Sequence, residues 1–177
     1  MSKTLDLSTF NETSFTSTFG FLYENSPWIA ATAWQNTLSK QPDLSAVTID
    51  TVLSACQAAV DNADETQQLA LICAHPDLAG KAAIEGELTE ESTKEQMAAR
   101  LDQCSPEEYS AFQKFNADYH LKFGFPFVMA VRNSSRHEIM VAFEARLFND
   151  SETEFATALE NIHQIAQLRL AAFVQNA

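Results

Sequence analysis

Glycine and proline are scarce in this sequence, with 4 glycines and 5 prolines among 177 residues. Hairpin turns and long loops depend on these two residue types, so their scarcity disfavours a fold rich in β-hairpins. The apolar share of 46% and the charged share of 20% are ordinary for a folded domain. The length suits one domain with its own core. We therefore expect a single domain, residues 1–177, built mainly of helices.

Basic residues are also few, since 11 Lys and Arg stand against 24 Asp and Glu, for a net charge of -13. Binding to nucleic-acid phosphates requires clustered basic side chains, so no nucleic-acid partner is expected. No signal-like run opens the chain, and no window approaches the ~18 uninterrupted apolar residues of a membrane span. The 3 cysteines lack a C-x-x-C spacing and indicate reduced thiols. These features predict a cytoplasmic protein without a membrane partner.

Helix starts are indicated by capping boxes, in which a Ser, Thr or Asp cap is followed three residues later by Glu or Gln. The pairs are Asp64 with Gln67, Ser92 with Glu95, Ser105 with Glu108, Ser135 with Glu138, and Ser151 with Glu154. Together with a Ser-Pro start at 26–28 and apolar periodicity, they predict about eight helices. The predicted ranges are roughly 11–20, 27–38, 48–62, 65–74, 93–101, 106–123, 136–148 and 152–174. The fold class is therefore predicted to be all-α, a compact helical bundle.

Two apolar stretches leave the type of element open. FPFVMAV, residues 125–131, and EIMVAF, residues 138–143, would also fit two short strands, because periodicity cannot decide runs this short. The box at Ser135 favours a helix for the second stretch. The first is predicted to be a buried extended or irregular segment.

A cation interrupts the apolar face of the last predicted helix. That face consists of Phe155, Ala158, Leu159, Ile162, Ile165, Ala166 and Phe173, and Arg169 falls in its middle. A buried guanidinium needs a carboxylate, phosphate or carbonyl partner. Three interpretations stay open: a structural salt bridge to an internal Asp or Glu, a helix rotated so that Arg169 reaches solvent, or a clamp for an anionic ligand.

His75 lies where the fourth predicted helix stops, because a residue before proline is pushed out of the helical conformation. Histidine titrates near neutral pH, so a rigidly held His75 would suit acid–base chemistry, whereas an exposed loop histidine is the alternative. Asp77 could orient its imidazole. Glu95 either completes a helix cap or, with Ser92 and Gln96, belongs to a ligand-binding helix start.

Six motifs occur in order along the chain: YENSPWIA (23–30), HPDLAG (75–80), STKEQ (92–96), FNADYHLKFGFPFV (115–128), RLFND (146–150) and IAQLRL (165–170). Over almost the whole chain they resemble the 2-oxo-4-hydroxy-4-carboxy-5-ureidoimidazoline (OHCU) decarboxylases, enzymes of urate breakdown. The combination of HPDLA, S-x-x-E-Q and FGFPF is far more specific than any one motif. HEIMV, residues 137–141, has only half of a zinc-protease pattern, so no metal site is expected there.

The resemblance implies a carboxy-lyase without a cofactor that converts OHCU to (S)-allantoin and carbon dioxide, the final step from urate to allantoin. Family members are usually homodimers. The catalytic positions are implied to be His75, as general acid/base, with Glu95 and Arg169. The substrate-binding positions are implied to be Pro76, Ser92, Gln96, Phe127, Val128, Met129, Ala130 and Val131. The alternative is a helical ureide-binding or protein-interaction module without decarboxylase activity.

Overall fold

The computed structural model describes residues 3–80 and 86–176, and these residues are mostly helical. The α-helices are α1 Glu12–Phe19, α2 Trp28–Asn36, α3 Ile49–Asp61, α4 Glu65–Cys73, α5 Glu90–Ala98, α6 Pro106–Phe123, α7 Arg136–Arg146 and α8 Ser151–Asn176. The only described strands, β1 Thr4–Leu5 and β2 Val47–Thr48, form one antiparallel pair. The all-α prediction is confirmed. Each described helix is too short or too polar to cross a membrane.

The chain divides into two compact units. Unit 1 contains Met1–Leu71 and Ile165–Ala177, and unit 2 contains Ile72–Gln164. Each unit has its own buried aromatic side chains. The expectation of a single domain over residues 1–177 stays a prediction.

Aromatic rings fill the core of unit 1. Phe15 of α1 is fully buried, and its ring centroid lies 5.2 Å from that of Trp34 of α2. Phe19 meets Phe173, near the end of α8, at 5.5 Å. Burial of one such large side chain contributes roughly 1.5–3 kcal/mol. The apolar face predicted for the last helix therefore packs inward at Phe173.

The core of unit 2 is built around α6. Its inward residues Phe112 and Tyr119 are fully buried, as the apolar periodicity predicts. Gly124, with a positive φ of 78°, ends the helix, which is the usual left-handed cap. Phe127 stacks on Phe143 of α7 at a centroid distance of 3.7 Å, and Tyr119 meets Phe127 edge-on at 5.3 Å.

The two ambiguous apolar stretches adopt the predicted conformations. Residues 125–131 form neither helix nor strand, and most of them are buried. EIMVAF lies inside α7, whose start is capped by Ser135. The local cap therefore decided the second stretch, whereas the first takes its conformation from its surroundings.

Three of the predicted capping boxes are confirmed, with hydrogen bonds in both directions. They are Asp64 with Gln67, Ser105 with Glu108, and Ser135 with Glu138. The carboxylate of Glu108 accepts hydrogen bonds from the Ser105 N–H and from Arg136. These bonds hold the pKa of the carboxyl below its usual value. Such a group stabilises the fold above its unfolded-state pKa, and this contribution is lost as the pH falls through the folded-state pKa. Acidification is therefore expected to weaken the start of α6.

The two other boxes are wrong. Helix α5 begins three residues earlier than predicted, because Thr89 Oγ1 accepts the N–H of Ser92 at 3.2 Å and places Ser92 inside the helix. Helix α8 begins at Ser151, but its cap is Asp150, whose carboxylate accepts the N–H of Thr153 at 2.7 Å. A nearby Thr or Asp thus occupies the capping position in both cases, so Glu95 and Glu154 are not capping residues.

The three cysteines are free thiols, as expected. Cys56 is buried, and burial raises the pKa of its thiol to about 12. Cys73 is exposed and Cys104 is half-buried, and burial also raises the pKa of both thiols. None of the three thiols is therefore activated as a nucleophile.

Candidate active site

His75 begins a tight loop, residues 75–80, directly after α4. Its N–H donates to the carbonyl of Ile72 at 3.1 Å, which closes the last helical turn before Pro76. The side chain of His75 is nearly buried, with 8% of the residue exposed. The alternative of an exposed loop histidine is therefore wrong. Pro76 is half-buried beside it.

Gln96 of α5 fastens this loop with both ends of its amide. Its Oε1 accepts the N–H of Ala79 at 3.1 Å, and its Nε2 donates to the carbonyl of Asp77 at 3.3 Å. Ala79 has a positive φ of 49°, an unusual conformation for alanine that costs free energy unless its surroundings hold it. The Gln96 amide bonds this residue directly.

Two further amides, from α6, hold the same loop. Gln113 Nε2 donates to the carbonyl of Ala79 at 2.8 Å. Asn116 Nδ2 donates to the carbonyl of Leu78 at 2.9 Å, and Asn116 is itself 95% buried. Buried backbone groups need such partners, and here side chains of fixed helices supply them. The residues immediately after His75 are thus tied to both α5 and α6.

The carboxylate of Asp77 also bonds a histidine, but this partner is on α6. His120 Nε2 lies 2.8 Å from Asp77 Oδ1. Both side chains are partly exposed, so the pair contributes little to stability by itself. The expectation that Asp77 orients His75 stays a prediction.

A methyl group at Gly80 is expected to disturb the loop. An ideal Cβ there lies 2.8 Å from the Cβ of Asp77 and 3.1 Å from its carbonyl oxygen. Asp77 is held by Gln96 and His120, so the clash cannot relax at low cost. We expect Gly80→Ala to lower the free energy of unfolding by about 1–3 kcal/mol and to accelerate hydrogen exchange at the Ala79 amide.

Gly86→Ala is the matched control, because a Cβ at Gly86 would meet no atom within 4 Å. Its positive φ of 73° makes alanine unfavourable there, but the Ala79 amide should keep its wild-type exchange rate. Hydrogen-exchange mass spectrometry and urea denaturation measure both effects. Equal exchange at Ala79 in the two variants would show that the close contact at Gly80 does not hold the loop.

Ser92, Glu95 and Gln96 share one face of α5, because they are spaced three and four residues apart. Ser92 and Gln96 are 5% exposed, and Glu95 is half-buried. Since α5 begins at Glu90, Glu95 lies in its second turn, so the interpretation of Glu95 as a helix cap is wrong. The bonds from Gln96 bring this face of α5 to the loop that carries His75.

Arg169 lies in unit 1, whereas the other predicted site residues lie in unit 2. Its guanidinium is buried, with Nη2 donating to Glu24 Oε2 at 2.8 Å and Nη1 to the carbonyl of Phe21 at 3.0 Å. The interpretation of Arg169 as reaching solvent is therefore wrong, and a buried salt bridge is present. Sequence reasoning missed Glu24 as the partner, although it lies within the YENSPWIA motif.

The remaining predicted residues form the irregular segment of unit 2. Phe127, Val128 and Val131 are buried, whereas Met129 and Ala130 are half-buried. Arg146 Nη1 donates to the carbonyl of Val128 at 2.7 Å. The segment is thus held by a side chain rather than by a regular backbone ladder.

The chain matches the family model described as OHCU decarboxylase over residues 8–171. It is 42% identical over 161 residues to the 2-oxo-4-hydroxy-4-carboxy-5-ureidoimidazoline decarboxylase of Haloferax volcanii, covering 91% of this chain and 89% of that protein. The chain belongs to the OHCU decarboxylase family. It is therefore an enzyme of the carboxy-lyase class.

Two longer proteins are also similar to this member of the OHCU decarboxylase family. The uric acid degradation bifunctional protein PucL of Bacillus subtilis is 34% identical over 169 residues, covering 96% of this chain and 32% of that protein. A crystal structure of (S)-allantoin synthase matches with a TM-score of 0.72 and 30% identity, covering 94% of this chain and 52% of that chain. The chain thus corresponds to about half of the solved protein.

The OHCU decarboxylase family motif RLFND contributes a buried cluster that sequence reasoning missed. Glu154, 0% exposed, accepts from Arg146 Nε at 2.7 Å, from Asn149 Nδ2 at 2.8 Å, and from the hydroxyl of Tyr119. Burial, followed by this bond to Glu154, raises the pKa of Tyr119 above its usual value, so the hydroxyl stays a donor. The sequence signal for this cluster is that Arg146, the cation of RLFND, lies close to the acidic Glu154 along the chain.

Two surface depressions lie in unit 1. One of them, of about 290 Å³, is lined mainly by Trp28, Thr32 and Asn36 of α2 and by residues of α3, and contains none of the predicted site residues. Among residues 3–80 and 86–176, no group of three His, Cys, Asp or Glu side chains is arranged to hold a metal ion.

Proposed function

We propose that this protein decarboxylates OHCU to (S)-allantoin and carbon dioxide without a cofactor, as the final step from urate to allantoin. Family membership supports the reaction. One geometric observation supports its assignment to the predicted residues: Gln96 ties the His75 loop to the helix that bears Glu95. A rigid histidine beside a carboxylate-bearing helix suits a reaction in which a proton must be delivered to one face of a ring.

The reaction breaks the bond between the ring carbon and its carboxylate. The electron pair left on that carbon moves into the neighbouring ring imine, whose nitrogen takes up a proton. The hydroxyl on the same carbon loses its proton to become a carbonyl. The carbon that bears the ureido group then takes up a proton on one face only, which gives the (S) product. His75 is proposed as the general acid/base that moves this proton, because its loop is fixed by hydrogen bonds to α5 and α6.

Glu95 and Arg169 are proposed as the other two catalytic residues. Glu95 would hydrogen-bond the substrate hydroxyl or the imidazole of His75. Arg169 would bind the anionic or ureido end, as the local cation that an acidic protein needs to attract an anion. The bonds to Glu24 and to the Phe21 carbonyl would keep its guanidinium in a fixed orientation.

The substrate also presents ring and ureido amides. Ser92, with the amide of Gln96, is proposed to bind them from α5, and Pro76 would supply an apolar surface beside His75. The backbone of residues 127–131 would offer N–H and C=O groups to the same amides, because it has no regular ladder. Such fixed backbone groups bind a ligand without a large loss of conformational entropy.

The proposal is tested with OHCU generated freshly from urate by urate oxidase and hydroxyisourate hydrolase. We expect the wild-type protein to produce (S)-allantoin, followed by circular dichroism, much faster than the spontaneous racemic decay. A reaction without the protein is the control. Allantoin that forms only at the background rate and without optical activity would contradict the decarboxylase and favour the ureide-binding or protein-interaction module. The homodimer and the cytoplasmic location stay predictions.

A further inference from the structure

The backbone at residues 128–130 is held by two side chains from neighbouring helices. Arg146 Nη1, at the end of α7, donates to the Val128 carbonyl at 2.7 Å. Asn161 Oδ1, on α8, accepts the N–H of Ala130 at 3.2 Å. Val128 and Ala130 are two positions apart. In extended backbone, residues at this spacing present their N–H and C=O groups to the same side.

Arg146 is itself fixed in place. Its Nε donates to Glu154 at 2.7 Å, and its guanidinium carbon lies 4.3 Å from the centre of the Phe127 ring. Glu154 is fully buried, and Asn149 donates to its second oxygen at 2.8 Å. These three partners, a carboxylate, a carbonyl and an aromatic face, together hold the guanidinium in one orientation.

Asn161 is fixed as well, because its Nδ2 donates to the Thr157 carbonyl on the same helix at 2.9 Å. This bond leaves Oδ1 directed at Ala130. The peptide between the two held residues belongs to Met129, which is half-buried. Among residues 3–80 and 86–176, no hydrogen bond engages the N–H of Met129 or of Val131. Buried and half-buried backbone donors normally have a partner, so these two groups are suited to a ligand.

We propose that Arg146 and Asn161 are positioning residues that hold the backbone at 128–130 so that the Met129 and Val131 N–H groups bind the carbonyl oxygens of the substrate's ring and ureido group. This inference rests on the proposed decarboxylation of OHCU. In this proposal neither residue touches the reacting carbon. Their effect is on the placement of two donors, and a displacement of about 1 Å at such a group is large enough to weaken binding severely.

Asn161→Ala removes the acceptor for the Ala130 N–H, and Arg146→Lys removes the planar fork that joins Glu154 to the Val128 carbonyl. We expect each to raise KM for OHCU by about tenfold or more, with kcat close to the wild-type value. Asn161→Asp keeps an acceptor oxygen but loses the donor to the Thr157 carbonyl, so it should restore part of the binding. The dissociation constant of (S)-allantoin, from calorimetry, should change in parallel with KM.

The matched control is Arg136→Lys. Arg136 also bonds a carboxylate, of Glu108 at 3.0 Å, and a carbonyl, of Arg100 at 3.0 Å, but it does not hold residues 128–130. Its KM should equal that of the wild type. Because Arg146→Lys could fail to fold, the deciding variant is Asn161→Ala, which changes a half-buried residue.

The outcomes separate the two proposals. A wild-type protein that does not accelerate OHCU decay overturns the proposed function. An active wild type whose KM and (S)-allantoin affinity are unchanged in Asn161→Ala overturns the positioning role alone. An active wild type with raised KM in Asn161→Ala and Arg146→Lys, partial restoration in Asn161→Asp and no change in Arg136→Lys supports both.

Discussion

Replacing His75 by glutamine is expected to lower kcat for OHCU decarboxylation by a factor of about 10² to 10⁴, the usual contribution of a well-placed general acid or base. Glutamine keeps much of the size and hydrogen-bonding capacity of histidine but cannot take up and release a proton. His75 is 8% exposed and lies in a loop tied to two helices, so the variant should change the chemistry more than the fold. Any allantoin that still forms should be less enriched in the (S) form.

His137→Gln is the matched control for this experiment. His137 lies in the first turn of α7, is exposed, and is not a predicted site residue. It should retain the wild-type kcat, and both variants should unfold at similar urea concentrations. If His75→Gln kept the kcat and the stereochemistry of the wild type, the proton would have to come from another group, and His75 would lose its proposed role.

Replacing Glu154 by alanine is expected to reduce the free energy of unfolding by about 3–5 kcal/mol, because a buried ion pair loses one partner and the other charge stays buried. The Arg146 side chain is 12% exposed and Glu154 is 0% exposed. Tyr119 would also lose the acceptor of its hydroxyl, and Asn149 the acceptor of its amide. Urea denaturation with linear extrapolation measures this loss as a shift of the midpoint at an unchanged slope.

Glu108→Ala tests whether burial of the ion pair causes the loss of stability expected for Glu154→Ala. Glu108 also pairs with an arginine, Arg136, but both side chains are partly exposed, at 29% and 28%. Water can solvate the remaining guanidinium there, so the loss should be much smaller than for Glu154. Similar losses for Glu108→Ala and Glu154→Ala would contradict the assignment of the Glu154 effect to an uncompensated buried charge.

Most helices of this protein were predictable because their signals are local. A cap and its answering residue are three positions apart, and an apolar face repeats every three or four residues, so α6 could be predicted from Ser105 to Gly124. The errors at α5 and α8 have the same local origin, since Thr89 and Asp150 lie close to the predicted caps and compete with them. Local competition changed the start of each helix without changing its existence.

The candidate site was predictable only in part. The family motifs indicated the site residues, but they did not indicate which side chains bond to them. Gln96 was expected to bind substrate, and its amide bonds the loop after His75. Met129 was expected to offer its backbone, but the sequence did not indicate that Arg146 and Asn161 hold the residues on either side of it. Such pairs join distant positions, and no periodicity or spacing relates them.

By itself, the sequence determined the all-α class, the approximate helices, the irregular stretch at 125–131 and the family, because each depends on short-range pattern or on motif order. The tertiary structure alone decided which buried charges pair. Arg169 and Glu24 are 145 positions apart. Glu154 was predicted to complete the cap at Ser151, but it accepts hydrogen bonds from Arg146 and Tyr119 instead. A buried charge takes whichever partner the packed core brings within hydrogen-bonding distance, and that distance exists only once the chain has folded.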